Sequence, residues 1–268
     1  MAAAAGRCGT RFCLHHTPAA RTPRALVVHV HPFAEEMNKA RRMAALQARA
    51  LADAGCGVLQ IDLLGCGDSS GDFGDASWDD WVDDIVHACR WLQQRGDAPL
   101  WLWGLRSGCL LAAAAARQLD TACHCLFWQP SAQGRPVLQQ FLRLRTVAGA
   151  LAGGARDGTA ELMRRLEAGE SIEVAGYTLA PALALGLARA MLDPPARAGR
   201  LELIDLSTQP DAALSPASAA AALRWQSQGW DVRSRVASGP AFWHTTEIEV
   251  APALLAASVA ALDESAHA

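Results

Sequence analysis

The amino-acid sequence predicts an α/β fold in which a mostly parallel sheet carries helices on both faces. Short apolar runs alternate along the chain with segments whose apolar residues recur at helical spacing. The apolar runs are apolar on both faces of the strand, which is typical of a parallel sheet that is covered on both sides. With 51% hydrophobic and 19% charged residues, the composition is that of a folded globular protein.

The elements follow from these local patterns, in chain order. The first strand is expected at 25–31 (ALVVHVH), and a helix at 38–54 follows it, with Asn38 as a candidate cap and Gly55 as its end. A Gly/Asp/Ser-rich loop at 65–75 separates the second strand from the second helix. Further strands are expected at 57–63, 99–103, 122–128, 201–206 and 230–237, and further helices at 77–94, 108–118, 136–151, 180–192, 216–229 and 249–263.

The alternation of strands and helices stops between residues 132 and 198. This stretch contains helical patterns without a strand that could extend the sheet. We therefore expect a single domain over 1–268, with a core at 10–131 and 199–264 and a helical cap insertion at 132–198. Loops after the strands of such a sheet carry the ligands.

Charge and cysteine content exclude several functional classes. The net charge of −3 predicts no nucleic-acid partner. The eight cysteines form no Cys-x-x-Cys pair and are expected to be free thiols, so no metal and no cofactor is predicted. Neither a signal peptide nor an apolar stretch of membrane-spanning length is recognisable, so a cytoplasmic protein without a membrane span is expected.

The segment WLWGLRSGCLL at 101–111 carries the most specific chemical pattern. A strand–turn–helix with Gly-x-Ser-x-Gly at its corner is the nucleophile elbow of α/β-hydrolases. Here Gly104 and Gly108 have the required spacing, but Arg106 stands at the nucleophile position and Ser107 follows it. The pattern predicts the elbow backbone and leaves the nucleophile open.

Longer stretches resemble the exosortase A system-associated hydrolase 2 family, from about Arg11 to Leu262. The resemblance implies an α/β-hydrolase fold and a link to exosortase/PEP-CTERM protein sorting and exopolysaccharide production. It also implies hydrolase activity, although activity must be argued from the site itself. The matching stretches are HPFAEEMNKARRMAALQARAL, GVLQIDLLGCGDSSGDF, WLWGLRSG, FLRLR, EVAGYTLAP and GPAFWHTTEIEVAPALL.

Three interpretations of the nucleophile are open. Ser107 could attack after a one-residue shift, or Cys66 in the GCGDS loop could supply a thiolate activated by a nearby arginine. In the third interpretation there is no covalent nucleophile, because a guanidinium stays protonated and cannot attack a carbonyl. Arg106 would then bind an anion at a helix N-terminus, or form an internal ion pair with Glu35, Glu36 or Asp68.

The other parts of a hydrolase site have candidates in the expected places. His244, just before the last helix, is the candidate base, and Asp211, after the strand at 201–206, is the candidate acid. Oxyanion donors are expected at Ser107 and in the loop after the first strand. That loop supplies the candidate oxyanion or ligand-binding residues His31, Phe33, Ala34, Glu36 and Asn38.

The sequence is therefore compatible with two functions. The first is hydrolysis of an ester or thioester of a small-molecule or acyl substrate, which could itself be anionic. The second is a catalytically inactive hydrolase fold that binds an anionic ligand or a protein partner through Arg106. The sequence does not fix the oligomeric state.

Overall fold

The structure, a computed structural model, describes residues 9–20, 22–151 and 158–263. The chain forms two compact units. The sheet unit comprises Cys13–Ile61, Ile85–Ala132 and Leu192–Ala268. The helical unit comprises Met1–Phe12, Asp62–Asp84 and Gln133–Met191.

Most strands of the described residues form one seven-stranded sheet, in the order β1-β3-β2-β4-β5-β8-β9. All its neighbouring strands are parallel except β1, which pairs antiparallel with β3. The remaining two strands, β6 and β7, form a separate antiparallel hairpin. The strands are β1 (Cys13–His16), β2 (Ala25–Val30), β3 (Cys56–Ile61), β4 (Leu100–Leu105), β5 (His124–Trp128), β6 (Ile172–Val174), β7 (Tyr177–Leu179), β8 (Arg200–Ser207) and β9 (Asp231–Ser238).

Eight α-helices occur in the described part of the chain, with one short 3₁₀ helix at Phe73–Asp75. Most follow a strand of the sheet, which is the connection that parallel strands require. The helices are α1 (Glu35–Asp53), α2 (Trp78–Gln93), α3 (Gly108–Ala116), α4 (Gly134–Leu151), α5 (Thr159–Glu167), α6 (Pro181–Arg189), α7 (Pro216–Ser227) and α8 (Pro252–Asp263).

Helices cover both faces of the sheet, as β5 illustrates. Successive side chains of a strand point to opposite faces. Trp128 donates its indole N–H to Ser258 of α8, 2.8 Å away, whereas Phe127 packs edge-to-face on Trp225 of α7, with ring centroids 5.6 Å apart. Both aromatic residues are buried, so burial on both faces explains why the strand sequences show no polar alternation. The predicted mostly parallel sheet is confirmed.

Helix α1 begins earlier than the sequence suggested. The predicted cap Asn38 is wrong, because the helix starts at Glu35 and Asn38 lies inside it as an exposed residue. Ala34 is the N-cap, with φ 49° and no side-chain cap bond. The backbone turn itself starts the helix, through a hydrogen bond from the Glu36 N–H to the Phe33 carbonyl at 3.2 Å. The predicted end at Gly55 agrees with the structure, where Gly55 has φ 90°.

Residues 133–191 form α4, α5, α6 and the β6–β7 hairpin, all within the helical unit. The half-buried Tyr177 of β7 packs its ring edge-to-face on the buried Phe73 and Phe141, at centroid distances of 4.9 and 6.0 Å. Neither the hairpin nor α5 was predicted from the sequence. The assignment of 132–198 as a cap stays a prediction.

Candidate active site

The predicted corner at 104–108 is a sharp strand–turn–helix. Strand β4 ends at Leu105, α3 begins at Gly108, and Arg106 between them has φ 55°. A non-glycine residue in this left-handed region costs roughly 1–2 kcal/mol. Two hydrogen bonds hold the corner: the Arg106 N–H donates to the Trp128 carbonyl at 3.0 Å, and the Ser131 N–H donates to the Arg106 carbonyl at 3.2 Å.

The two glycines of the corner are required by close backbone approaches. A Cβ at Gly104 would lie 2.8 Å from the Cα and the N of Cys109. A Cβ at Gly108 would collide with the carbonyl oxygen of Val30. The two glycines therefore allow α3 to pack closely against the ends of β2 and β4.

Ser107 is buried, with 2% of its surface exposed. Its Oγ accepts a hydrogen bond from the Phe33 N–H at 2.9 Å. The hydroxyl thus ties the corner to the loop after β2. This bond gives Ser107 a structural role, and its role as nucleophile stays a prediction.

The loop after β2 contains the predicted oxyanion donors. The Phe33 N–H is used by Ser107, whereas the N–H groups of Ala34 and of Ser107 donate no hydrogen bond within the described residues. His31 is buried, and its Nδ1 lies 2.9 Å from the Pro32 carbonyl oxygen, which stiffens the turn. The N–H groups of Ala34 and Ser107 are therefore unused in the described part of the chain, and their role as oxyanion donors stays a prediction.

A cluster of Glu36, Arg106 and His244 lies at this corner, and we call it the EHR cluster. His244 Nε2 is 2.7 Å from Glu36 Oε1, and Arg106 Nε is 3.5 Å from the same oxygen. The exposed fractions of the side chains are 7% for Glu36, 18% for Arg106 and 42% for His244. A buried carboxylate thus holds an imidazole and a guanidinium that both reach the surface of the sheet unit.

Two neighbours complete the environment of the EHR cluster. The Arg106 guanidinium carbon lies 5.5 Å from the ring centroid of Trp243, within the range of a cation–π contact. Burial raises the pKa of the Glu35 carboxyl, and the adjacent Glu36 carboxylate adds to the rise. Glu35 Oε2 is buried and accepts no hydrogen bond from the described residues.

The predicted acid, Asp211, is not joined to His244. It is exposed in the β8–α7 loop, with φ 54°, and makes no hydrogen bond to His244 in the described part of the chain. Asp205 instead holds the start of α7, since its carboxylate accepts from the N–H of the N-cap Ser215 at 2.9 Å and from the Ser218 hydroxyl at 2.7 Å. Glu36 occupies the place beside His244 that Asp211 was expected to take.

Cys66 lies in the helical unit, in the tight turn after β3. It is 5% exposed, and its backbone accepts from the Ser69 N–H at 3.0 Å and donates to the Leu63 carbonyl at 2.9 Å. Its role as nucleophile also stays a prediction. Among the described residues, no three His, Cys, Asp or Glu side chains form a group that could hold a metal ion.

Comparisons with known proteins agree with this geometry. Residues 21–153 match the family described as serine aminopeptidase, S33. Among solved structures, Est1E from Butyrivibrio proteoclasticus with ferulic acid bound is 14% identical, with a TM-score of 0.64 over 96% of this chain and 94% of that chain. The proline iminopeptidase of Mycobacterium smegmatis is 15% identical, with a TM-score of 0.57 over 96% of both chains. The chain has the α/β-hydrolase fold.

A third α/β-hydrolase neighbour is a thermostable carboxyl esterase from Bacillus coagulans, 17% identical, with a TM-score of 0.57 over 85% of this chain and 86% of that chain. No curated protein sequence matches this chain significantly. In the described residues of this chain, no helix is both long enough and apolar enough to cross a membrane.

The structure brings Arg106 and His244 together through Glu36, and it does not place Asp211 beside the histidine. Glu36 was expected to orient a ligand or to neutralise Arg106, and the structure adds the contact with His244. Residues 36 and 244 are 208 positions apart, so no local pattern could join them. The available signal was the acidic pair Glu35-Glu36 directly after the oxyanion loop.

Proposed function

We propose that this protein hydrolyses a carboxylic ester or thioester with water as the nucleophile, activated by the EHR cluster. The observation that carries the proposal is the 2.7 Å contact between Glu36 and His244 directly beside Arg106 at the elbow. A histidine oriented by a buried carboxylate is the general base of acyl-transfer enzymes. The proposal keeps this base and replaces the covalent nucleophile with a water molecule.

The reaction proceeds in two proton transfers. His244 takes a proton from water through the ring nitrogen that does not face Glu36, while the water oxygen forms a bond to the acyl carbon. The carbonyl π electrons move onto oxygen, and the resulting oxyanion is stabilised by positive groups of the site. The C–O or C–S bond then breaks, and the imidazolium gives its proton to the leaving alkoxide or thiolate. Glu36 stabilises the imidazolium throughout.

Arg106 supplies the positive charge that this mechanism needs. A guanidinium remains protonated at any working pH, so it can hold an oxyanion or a carboxylate of the substrate without changing state. The free N–H groups of Ser107 and Ala34 offer further donors. Glu36 limits the attraction of Arg106 for ground-state anions because it is already paired with it.

The substrate class rests on two further supports. The carboxyl esterase from Bacillus coagulans shares the fold, which makes an ester a reasonable first substrate. The long motifs that resemble the exosortase A system-associated hydrolase 2 family suggest that the acyl substrate belongs to exosortase-linked sorting or exopolysaccharide production in the cytoplasm. Both are proposals about this chain.

The direct test is a panel of p-nitrophenyl esters and acyl thioesters of increasing chain length, followed at neutral pH. Wild-type protein is expected to hydrolyse at least one class, and His244→Ala and Glu36→Gln are expected to lose nearly all of this activity. Glu249→Gln is a matched control, because Glu249 is exposed and makes no side-chain hydrogen bond in the described residues. Hydrolysis that persists in both cluster variants refutes the proposed base. Absence of hydrolysis across the panel refutes the proposed activity and returns attention to Arg106 as a ligand-binding residue.

A further inference from the structure

The helical unit contains a groove of about 400 Å³ between α4 and α5. Arg135, Gln139 and Arg143 are four residues apart on α4, so they lie along one face of that helix. Residues of the first and last turns of α5 form the opposite wall. The residues that line the groove are Arg135, Gln139, Arg143, Thr159, Ala160, Met163, Arg164 and Glu167.

The groove is positively charged, with three arginines against a single acid, Glu167. Arg164 pairs with Glu161 on its own helix. The side chains of Arg135 and Arg143, in contrast, make no ion pair and no hydrogen bond within the described residues. Two guanidinium groups without a described partner therefore line the same groove.

Neighbouring arginines of the same two helices are used differently. Arg145 donates to the carbonyl of Glu173 at 2.7 Å, and Arg165 pairs with Glu170. Those two side chains fasten parts of the helical unit together. Arg135 and Arg143 have no such structural use, although they lie on the same helix as Arg145.

The start of α5 adds hydrogen-bond donors to the groove. Thr159 and Ala160 are its first residues, and their N–H groups donate to nothing in the described chain. Gly158, the N-cap, offers no side-chain acceptor for them. Unpaired N–H groups and the positive end of the helix dipole favour a bound anion, and Thr159 contributes a hydroxyl.

We propose that this groove is a binding site for a phosphate group, presented either by a soluble phosphorylated compound or by the headgroup of an anionic lipid. Two unpartnered guanidinium groups and a helix N-terminus match the charge and the several acceptor oxygens of phosphate. Met163, which also lines the groove, offers a contact for an apolar part of the same ligand.

The test measures binding by the full chain, with pyrophosphate as the soluble probe and phosphatidylglycerol vesicles as the lipid probe. Isothermal titration at constant ionic strength, adjusted with NaCl, is expected to give saturable binding in at least one arm. The double variant Arg135→Gln/Arg143→Gln is expected to weaken that binding at least tenfold. Arg42→Gln is the control, since Arg42 is an exposed arginine on α1 without a described partner.

Each outcome of the titrations supports or overturns the proposed phosphate site. Saturable pyrophosphate binding that the double variant loses supports a soluble ligand. Binding only to phosphatidylglycerol vesicles, lost in the double variant and absent with phosphatidylcholine, supports the headgroup. No saturable binding in either arm, or equal loss in Arg42→Gln and the double variant, overturns the proposal. None of these readouts depends on hydrolysis, so they are independent of the EHR cluster.

Discussion

Replacing Glu36 by glutamine is the most informative single change, because one oxygen of Glu36 serves both partners. The substitution keeps the size of the side chain and one acceptor for His244, and it removes the charge. At 3.5 Å and an effective dielectric constant near 20, the attraction to Arg106 amounts to roughly 5 kcal/mol before desolvation is subtracted. Desolvation of the buried carboxylate offsets much of it, so we expect a net loss of about 1–3 kcal/mol in the free energy of unfolding.

The same substitution should reduce activity far more than stability. In serine proteases, neutralising the carboxylate behind the catalytic histidine lowers kcat by about 10⁴-fold. Here a loss of about 10³-fold or more in kcat is expected, which corresponds to about 4 kcal/mol of transition-state stabilisation. The loss should appear in kcat rather than in KM, because Glu36 stabilises the imidazolium that forms only during reaction.

The assay compares ester hydrolysis and thermal unfolding of wild-type, Glu36→Gln and Glu249→Gln proteins in one buffer. For a chain of this size, the expected loss of stability lowers Tm by about 2–10 °C. A Glu36→Gln variant that keeps its kcat within threefold of wild type would refute the reasoning, whatever its Tm. A loss of activity explained entirely by unfolding at the assay temperature would refute it as well.

Three further predictions follow from buried groups. Ser107→Ala removes the acceptor of the Phe33 N–H, so thermal or urea unfolding should show that the free energy of unfolding falls by about 1–3 kcal/mol. The kcat of this variant should stay within threefold of wild type. A near-complete loss of kcat in the folded variant would identify Ser107 as the nucleophile. Burial lowers the pKa of His29 from its usual 6.5 to about 3. The free energy of unfolding of the wild type should therefore fall by up to about 5 kcal/mol as pH drops from 6.5 to 3. In His29→Leu, this part of the pH dependence of stability should be absent. Because the pKa of Glu35 is raised in the folded protein, its contribution to stability is full below the usual value of 4.5 and is lost as pH rises through the folded pKa. Glu35→Gln should therefore be more stable than wild type at pH 7 and lose that advantage toward pH 4. Equal pH profiles of variant and wild type would contradict either titration prediction.

The sheet and its helices could be predicted because their signals are local. Strands such as β4 and β5 are buried on both faces, and α1 has a long apolar stripe. The missed elements have weak local signals: β1 has four residues at the edge of the sheet, and β6 and β7 have three residues each.

The site could be predicted only in part, for the same physical reason. The glycine pattern around Arg106 specifies a backbone corner, and His244 stands before the last helix where a base is expected. The partner of His244 depends on a tertiary contact between the start of α1 and the loop before α8, which no short window of sequence encodes. The position of Asp211 after β8 matched the one expected for the acid. In the structure, Asp205 inside β8 accepts from the N–H of Ser215, the N-cap of α7.

The central claim is that the EHR cluster activates water and that no side chain forms an acyl intermediate. The most direct measurement is the ester-hydrolysis rate of active protein after exposure to a fluorophosphonate and to a thiol-reactive acylating probe, with adducts located by peptide mass. The mechanism predicts an unchanged rate and no adduct on Ser107 or Cys66. A rate that falls in proportion to an adduct on either residue would contradict it.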